Sequence, residues 1–420
     1  MFSTMVGKAR SVYQEYPRDF WTLMGATFVD SLGGSMLFVF LSLYLTSKFA
    51  IGMAEVGLVF GFYTVAAIFG STIGGGLADR IGRKPMVIFG LVASAATVFF
   101  MGIANSIAMF YFGAVLAGLF ADAGGPARQA IIADLLPEEK RAQGFGLYRV
   151  TFNLSHAIGP ILGGLLAVRS YMPLFVIDIV LSLLAAAILF AYLPETLPGK
   201  GEEEEQETVG QTFGGYFRVF KDSFFVVFLL ASTLLVLVFT QIHGTLAVFL
   251  RDSHGVTAQQ FGLLMGINGA MVVVFQFPIT RKIEGRPPFL ILAVGTLFTL
   301  VGFGMYGFVS GYVLFIMALM IITVGEMLFA PVSQAMAADI APEDMRARYM
   351  AVYGFSWMIP SAVGIYLAGL VMDNYDPRIV WFLAAFIGVL AVLAFLGLHV
   401  RYSQKIEPKT QLEGATVEAG

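Results

Sequence analysis

Long apolar stretches recur along the chain, and short polar segments separate them. Each stretch has about twenty residues, the length that an α-helix needs to cross the hydrocarbon core of a bilayer. The pattern therefore predicts an all-α membrane protein with twelve spans. The predicted spans are 20–46, 54–78, 85–105, 107–135, 144–168, 172–193, 224–250, 258–280, 288–309, 312–340, 348–371 and 378–399.

Composition agrees with a membrane protein and disfavours several other classes. Hydrophobic residues make up 58% of the chain and charged residues 13%, whereas soluble domains carry roughly 25% charged residues. The net charge of −3 argues against nucleic acid as a partner. The chain has no cysteine for disulfides or thiolate metal sites, and its four histidines form no pair on one helix. We therefore expect no metal and no cofactor.

Lysine and arginine are distributed unequally between the two sets of loops. If the N-terminus is cytoplasmic, nineteen of them lie in segments on the inner side and four on the outer side, while Arg128 and Arg149 fall within spans. An excess of basic residues marks the cytoplasmic loops of membrane proteins. The segment 1–18 is polar and carries no pattern of a cleavable signal. The sequence predicts a multi-pass protein of the cell (inner) membrane with both termini in the cytoplasm.

The chain contains an internal repeat. Residues 129–142 return as residues 334–347, a shift of 205, with eight of the fourteen positions identical. Because 205 residues contain six predicted spans, the two copies have the same orientation in the membrane and form a parallel repeat. We predict two six-helix bundles: 1–193 as the N-terminal bundle, 194–222 as a cytoplasmic linker, and 223–420 as the C-terminal bundle with a cytoplasmic tail.

The loop after the second span has a specific sequence, GGLADRIGRKP at residues 75–85. It resembles the signature of the major facilitator superfamily, G-x-L-a-D-R-x-G-R-K between helices two and three. The resemblance implies a major-facilitator-type fold, in which this loop acts as a conformational latch. Asp79 would then meet the start of the eleventh helix, and Arg83 would meet Asp134. The latch residues so implied are Gly75, Asp79, Arg80, Gly82, Arg83, Lys84 and Asp134.

A simpler interpretation of the same loop is a turn that carries positive-inside charge and has no switching role.

The fifth span contains a second string, Gly159, Pro160, Gly163 and Gly164 within GPILGG. It is similar to the antiporter motif that marks exporters of the same superfamily. Glycines there allow close helix packing, and Pro160 removes one backbone hydrogen bond. A role in packing alone is the alternative.

Ionisable residues inside the spans are the candidates for transport chemistry. Each costs about 2.5–3.5 kcal/mol at the centre of a span, so we expect each to face a partner or a cavity. The residues that we expect to act in proton coupling or substrate binding are Glu326, Asp30, Asp122, Asp178, Arg149, His156 and His243. Glu326 lies in a Gly-Glu-Met string that resembles the tenth helix of some multidrug/proton antiporters.

Each candidate also has a structural interpretation. A carboxyl or imidazole group can be held by a neighbouring helix without a part in transport, and Arg149 can form a simple salt bridge. Asp122 can be neutralised by Arg128 or Arg149. One position departs from the family pattern, because Ala114 stands where the fourth helix usually carries an arginine that is credited with assisting proton transfer.

The resemblances imply a secondary active transporter, not an enzyme, that exports lipophilic or weakly cationic compounds by alternating access with the proton gradient as driving force. The expected partners are a small-molecule substrate, protons and membrane lipids, and we expect a monomer. Two alternatives remain: a carrier of a sugar, peptide or lipid metabolite, and a membrane sensor that binds a ligand without flux. A membrane enzyme is disfavoured, because no span pairs a nucleophile with a base at helical spacing.

Overall fold

A computed structural model describes residues 13–197, 218–342 and 345–417; the side chains of Asp122, Ala142, Ala347 and residues 403–417 are not described. The chain forms helices α1 (Arg18–Phe38), α2 (Leu41–Phe49), α3 (Met53–Ile81), α4 (Arg83–Gly102), α5 (Ile107–Ala121), α6 (Gly125–Leu135), α7 (Glu138–Ala167), α8 (Met172–Tyr192), α9 (Ser223–Phe239), α10 (Leu246–His254), α11 (Ala258–Ile283), α12 (Pro288–Phe308), α13 (Tyr312–Ile340), α14 (Arg346–Asn374) and α15 (Ile379–Val417).

The described residues contain eleven helices that are long and apolar enough to cross a membrane. The bent pair α1 and α2, with an angle of 42° between its members, supplies a twelfth span when it is counted as one. No strand occurs in the part of the chain that the structure describes. The prediction of an all-α membrane protein is confirmed.

Three of the predicted spans are interrupted. The first span bends after Phe38. The fourth span changes to a 3₁₀ turn at Asp122–Gly124, just before Pro126, whose ring lacks the N–H group that a continuous helix uses. The seventh span was predicted to be continuous over 224–250, but α9 ends at Phe239 and α10 begins at Leu246. Gln241 lies within this break, and its side chain hydrogen-bonds a neighbouring helix: Nε2 donates to the backbone oxygen of Gly364 on α14 at 3.1 Å.

The chain divides into two compact units. The first unit contains Met1–Glu203 and Ala247–Val273, and the second contains Glu204–Leu246 and Val274–Gly420. The predicted linker 194–222 includes residues 198–217, which lie outside the described residues. The predicted domain boundaries therefore stay a prediction.

Each unit has its own apolar core. In the first unit the core contains Phe20, Leu23 and Ile131, all of which are buried. In the second unit it contains Phe228 and Phe289, whose rings meet edge to face. The buried apolar side chains of these two cores thus pack within their own units.

Small residues bring the helices of each unit together. A Cβ atom at Gly70 of α3 would collide with the backbone oxygens of Gly118 and Leu119 on α5. In the second unit, a Cβ atom at Gly302 of α12 would collide with Ile322 of α13. Such contacts are typical of helices in membranes, where close backbone approach replaces the hydrophobic driving force available in water.

The segment Ala247–Val273 packs with the first unit through α10 and α11. Arg251 of α10 donates from Nη1 to Thr46 Oγ1 and Ser47 Oγ of α2, each at 3.0 Å. Its Nε and Nη2 atoms donate to the carboxylate of Asp252 at 2.6 and 3.0 Å. These contacts place the C-terminal ends of the first and seventh predicted spans side by side within the first unit.

Candidate transport site

Asp30 of α1 forms an ion pair with Arg128 of α6 inside the first unit. The distance between Asp30 Oδ2 and Arg128 Nη2 is 3.2 Å, and the two side chains are only 20% and 16% exposed. Ser182 of α8 donates from Oγ to the other carboxylate oxygen, Asp30 Oδ1, at 2.9 Å. Three helices therefore converge on one carboxylate. Arg128 was considered as a partner of Asp122, but the structure pairs it with Asp30.

Asp178 lies on α8 one turn before Ser182 and is buried, with 4% of the residue exposed. It packs against α1 at a glycine: a Cβ atom at Gly33 would lie 2.9 Å from Asp178 Oδ1 and 3.0 Å from its Cα. Any larger residue at position 33 would push the two helices apart. Asp30 is close enough to interact electrostatically with Asp178. We refer to Asp30, Arg128, Asp178 and Ser182 as the acidic cluster.

The acidic cluster has no charged counterpart in the second unit. The repeat shift of 205 takes Asp30 to Leu235, which is fully buried, and Arg128 to Ser333. Arg128 hydrogen-bonds Tyr148 of α7, and the same shift takes Tyr148 to Tyr353. The hydroxyl of Tyr353 donates to Ser333 Oγ at 2.7 Å. The tyrosine contact is thus repeated, whereas the charges are present in the first unit alone, as far as the two units are described.

Glu326 lies in the second unit, in the middle of α13, and is half-buried. The preceding residue is at a close helix contact, because a Cβ atom at Gly325 would collide with Thr299 of α12. Gln276 of α11 donates from Nε2 to the backbone oxygen of Met327 at 3.1 Å. Glu326 is therefore positioned where α11, α12 and α13 meet, and it is not a member of the acidic cluster.

The two candidate histidines have different surroundings. The imidazole of His156 stacks on Phe152, with 4.1 Å between ring centroids, and Nδ1 is 3.0 Å from the Phe152 backbone oxygen. Because a carbonyl oxygen only accepts, Nδ1 carries the proton and Nε2 is the atom left for exchange. His243 is exposed and lies in the break between α9 and α10.

Two further candidates are placed with less detail. Arg149 is exposed and lies in the first half of α7, close to its middle. Asp122 begins the 3₁₀ turn between α5 and α6, and its side chain is among those that the structure does not describe. The backbone of that turn is tightly packed, because a Cβ atom at Gly74 of α3 would collide with Ala123.

The loop between α3 and α4 contains the predicted latch. Arg83 forms a salt bridge with Asp134 of α6, and its Nη1 also donates to the Ala130 backbone oxygen at 3.3 Å. Asp79 and Arg80 are exposed. Gly82 has a φ of +111°, a backbone conformation that favours glycine. Gly75 lies on the face of α3 next to Pro126, 3.5 Å from its Cβ when a Cβ atom is built on the glycine.

Glu195 is a further residue at this loop, and it was not among the residues predicted from the sequence. Its Oε1 accepts from the backbone nitrogen of Arg83 at 3.0 Å, at the first residue of α4. In return, Lys84 donates from Nζ to the backbone oxygen of Phe190, in the last turn of α8, at 2.9 Å. An anion at a helix N-terminus and a cation at a C-terminus both complement the helix dipole. The position of Glu195 directly after the sixth span was the available signal.

We expect Glu195→Ala to lower the free energy of unfolding by about 1–2 kcal/mol, because it removes a charged cap and its hydrogen bonds. Thermal unfolding of the purified chain in detergent measures this loss. Glu284→Ala is the matched control, since Glu284 is an exposed carboxyl in the loop after α11. Equal melting temperatures for the two variants would contradict the capping role.

The antiporter-like string on α7 packs on two sides. A Cβ atom at Gly159 would collide with Ser35 Oγ, and one at Gly163 would lie 2.9 Å from the Met36 backbone oxygen, both on α1. On the other side, a Cβ atom at Gly164 would lie 3.2 Å from the Cα of Gly262 on α11. The Pro160 backbone oxygen also contacts Gly262, and α7 continues through Pro160 without ending. All of these residues belong to the first unit.

A family model and individual relatives were compared with the chain, and they agree on one family. The family model of the Major Facilitator Superfamily matches residues 23–328 and 233–418. The chain is 27% identical over 352 residues to a protein named Na(+), Li(+), K(+)/H(+) antiporter from Planococcus maritimus, covering 77% of this chain and 82% of that protein. It is 24% identical over 392 residues to the multidrug resistance protein MdtH of Shigella flexneri, covering 91% of this chain and 94% of that protein.

Solved structures share the fold. The nucleoside transporter NupG superposes with a TM-score of 0.77 at 15% identity, covering 91% of this chain and 99% of that chain. A POT family transporter in complex with a thioalcohol-conjugated peptide superposes with a TM-score of 0.77 at 16% identity, covering 93% and 97%. The chain belongs to the Major Facilitator Superfamily, and it is a multi-pass membrane transporter of small molecules rather than an enzyme.

Proposed function

We propose that the chain exports lipophilic or weakly cationic compounds in exchange for protons, by alternating access across the cell membrane. The acidic cluster is the observation that carries this proposal. Its two carboxylates and one guanidinium leave one negative charge uncompensated when both acids are ionised. Burying an uncompensated charge is costly, so the cluster favours binding one proton or one cation.

The same charge balance accounts for exchange. A proton on Asp178 and a cationic compound near it each compensate the one remaining negative charge, so binding of either weakens binding of the other. Such mutual weakening is reciprocal by thermodynamic linkage. Alternate occupation of the cluster by proton and substrate is the requirement for antiport. Arg128 and Ser182 hold the second carboxylate, that of Asp30, in place.

Glu326 is assigned to the coupling path as a second proton-binding group, in the second unit. Its carboxyl is half-buried in the middle of a span, where ionisable side chains are rare and mark proton relays and ion pathways. His156 is assigned as a proton relay through Nε2, and the roles of Asp122, Arg149 and His243 in coupling or substrate binding are part of the same proposal. The Arg83–Asp134 salt bridge supports a latch at the α3–α4 loop, with Asp79 docking at the start of α14 in one state of the cycle.

A second candidate function is exchange of alkali cations for protons. The acidic cluster groups two carboxylates and a hydroxyl, and hard cations prefer oxygen ligands of this kind. The similarity to a protein named as a sodium, lithium and potassium/proton antiporter supports this candidate. The two functions share the cluster and differ in which cation displaces the proton.

Both functions are tested in inside-out vesicles that carry the full chain and an acidic lumen, with a fluorescent dye reporting lumenal pH. Addition of tetraphenylphosphonium, a lipophilic cation, should release lumenal protons if the first function holds, and NaCl, LiCl or KCl should do so if the second holds. Glu326→Gln should lose the release while the chain stays folded, because glutamine cannot take up a proton. If Glu326→Gln releases protons as fast as the wild type, Glu326 is not in the coupling path.

The orientation and the rival functions are distinguished in the same system. If none of the cations releases protons, a metabolite carrier or a sensor becomes the leading hypothesis, and ligand binding without flux identifies the sensor.

Both termini are proposed to be cytoplasmic, in accordance with the excess of basic residues in the inner loops. Protease access to the C-terminus in inside-out vesicles, but not in intact cells, is the expected result.

A further inference from the structure

A cavity of about 160 Å³ lies between α9, α14 and α15, within the second unit. Aliphatic side chains and small residues line it, and the residues that carry the argument are Val238, Gly364, Leu367, Val380, Leu383 and Ala384. Leu367 and Leu383 are 49% and 42% exposed and form the opening, whereas Val380 and Ala384 are only 4% exposed and form the floor. The cavity is thus open towards the surroundings of the spans.

The polar side chain in the lining, Gln241, is turned away from ligand binding by its own hydrogen bonds. Its Nε2 donates to the backbone oxygens of Leu237 and Gly364, at 3.0 and 3.1 Å. Its Oε1 accepts from Thr245 Oγ1 at 3.0 Å. With both amide hydrogens used, the cavity presents an apolar lining. Apolar cavities of about 150 Å³ stay dry and bind small apolar groups.

In the corresponding corner of the first unit, α1 and α8 are in contact at Gly33 and Asp178. The buried positions of α15 match those of α8 with a shift of 206: Leu174, Phe175, Asp178, Ser182, Ala185 and Leu189 correspond to Val380, Trp381, Ala384, Gly388, Ala391 and Phe395. Ala384 therefore stands where the first unit has Asp178. Val238 stands where the first unit has Gly33, the glycine that packs directly on Asp178.

This pair of exchanges changes the chemistry of the corner. In the first unit the carboxyl group of Asp178 meets the bare backbone of Gly33, and the two helices are in contact. In the second unit both exchanged residues, Val238 and Ala384, are apolar, and both line the cavity. The same corner of the repeat is therefore a polar site in one half and an apolar recess in the other.

We infer that the cavity between α9, α14 and α15 binds an acyl chain of a membrane lipid. The opening lies on membrane-spanning helices, where hydrocarbon chains are the surrounding solvent. An empty recess forfeits the dispersion contacts of its lining, and a hydrocarbon chain restores them without any hydrogen-bonding requirement. The inference depends on membrane insertion alone, so it is independent of the substrate and of the proton coupling proposed above.

Photolabelling of the full chain in nanodiscs tests the inference. The probe is a phosphatidylcholine with a diazirine in the half of one acyl chain nearer the headgroup, because Val380 lies in the first turn of α15 at one end of the span. Labelled residues are identified by peptide mass spectrometry. We expect labelling of the floor residue Val380, which a chain reaches only from inside the cavity. Labelling at Val380 should saturate with probe concentration, whereas labelling at Val389, which is exposed on the same helix, should rise in proportion.

Ala384→Leu fills the floor and should remove the labelling of Val380. Val389→Leu is the matched control, because it adds aliphatic bulk to the exposed face of α15, and it should leave the labelling of Val380 unchanged. An unlabelled Val380 in the wild type, or labelling there that rises in proportion to the probe without saturating, overturns the inference. The saturation measurement uses the wild-type chain, so it tests acyl-chain binding in the cavity even if Ala384→Leu fails to fold.

Discussion

Asp178→Asn should reduce gradient-driven transport to the background of protein-free vesicles. Asparagine has nearly the shape of aspartate, so the contact with Gly33 is kept and the helices α1 and α8 stay packed. It cannot bind or release a proton, and it removes the uncompensated negative charge of the acidic cluster. The measurement is proton release by tetraphenylphosphonium or an alkali cation from inside-out vesicles.

The control for this prediction is Asp19→Asn, at the first turn of α1 and outside the acidic cluster. It should transport at the wild-type rate. A second assay separates proton coupling from substrate binding: exchange of labelled for unlabelled substrate across the membrane without a pH gradient. Because the proton and the cationic compound compete for the negative charge of Asp178, Asp178→Asn should lose this exchange too, whereas retained exchange would show that Asp178 serves in proton coupling alone. Unchanged gradient-driven transport by the variant would remove Asp178 from the mechanism.

Arg128→Met should lower the free energy of unfolding by about 3 kcal/mol, because breaking a buried ion pair leaves an uncompensated charge on Asp30. The loss of the guanidinium also leaves Asp178 without the cation of the cluster. Methionine keeps the unbranched apolar stem of the arginine side chain, so most of the loss reports charge rather than packing. The melting temperature of the purified variant in detergent measures it.

The double variant Asp30→Asn with Arg128→Met distinguishes the ion pair from a general defect of α6. If the two charges compensate one another, the double variant should be more stable than Arg128→Met alone, with a coupling of about 1–3 kcal/mol. Strictly additive losses would show that the pair contributes nothing. The double variant keeps one uncompensated negative charge on Asp178, as the wild type does, so it should regain proton-driven transport together with stability.

The candidate residues could be selected from the sequence because a charged side chain in a span is rare and costly. This criterion identified Asp30 and Asp178 individually. It could not show that they share one site with Ser182, because these residues are separated by up to 152 positions. Helix spacing relates only residues three or four apart, so contacts between helices had to come from the folded chain.

The sequence also indicated the glycines of α7 as a packing surface, and the structure identifies the partners on α1 and α11. The role of Glu195 could not be predicted from the sequence, because a single acid after a span resembles any other polar loop residue. Its meaning depends on the start of α4, which lies 112 residues away in the chain. The cavity could not be predicted either, since its lining comes from three helices, of which α9 is distant in the sequence from α14 and α15.

The sequence by itself determined the spans, their number when the bent first span is counted as one, the repeat and the family, because hydropathy and signature strings are local properties of the chain. The tertiary structure decided the interruption of the seventh span, the pairing of Arg128 with Asp30, and the different chemistry of the same corner in the two units. The physical reason is that a hydrocarbon environment fixes where a helix must form, whereas the partner of a buried side chain is fixed by which helices pack together.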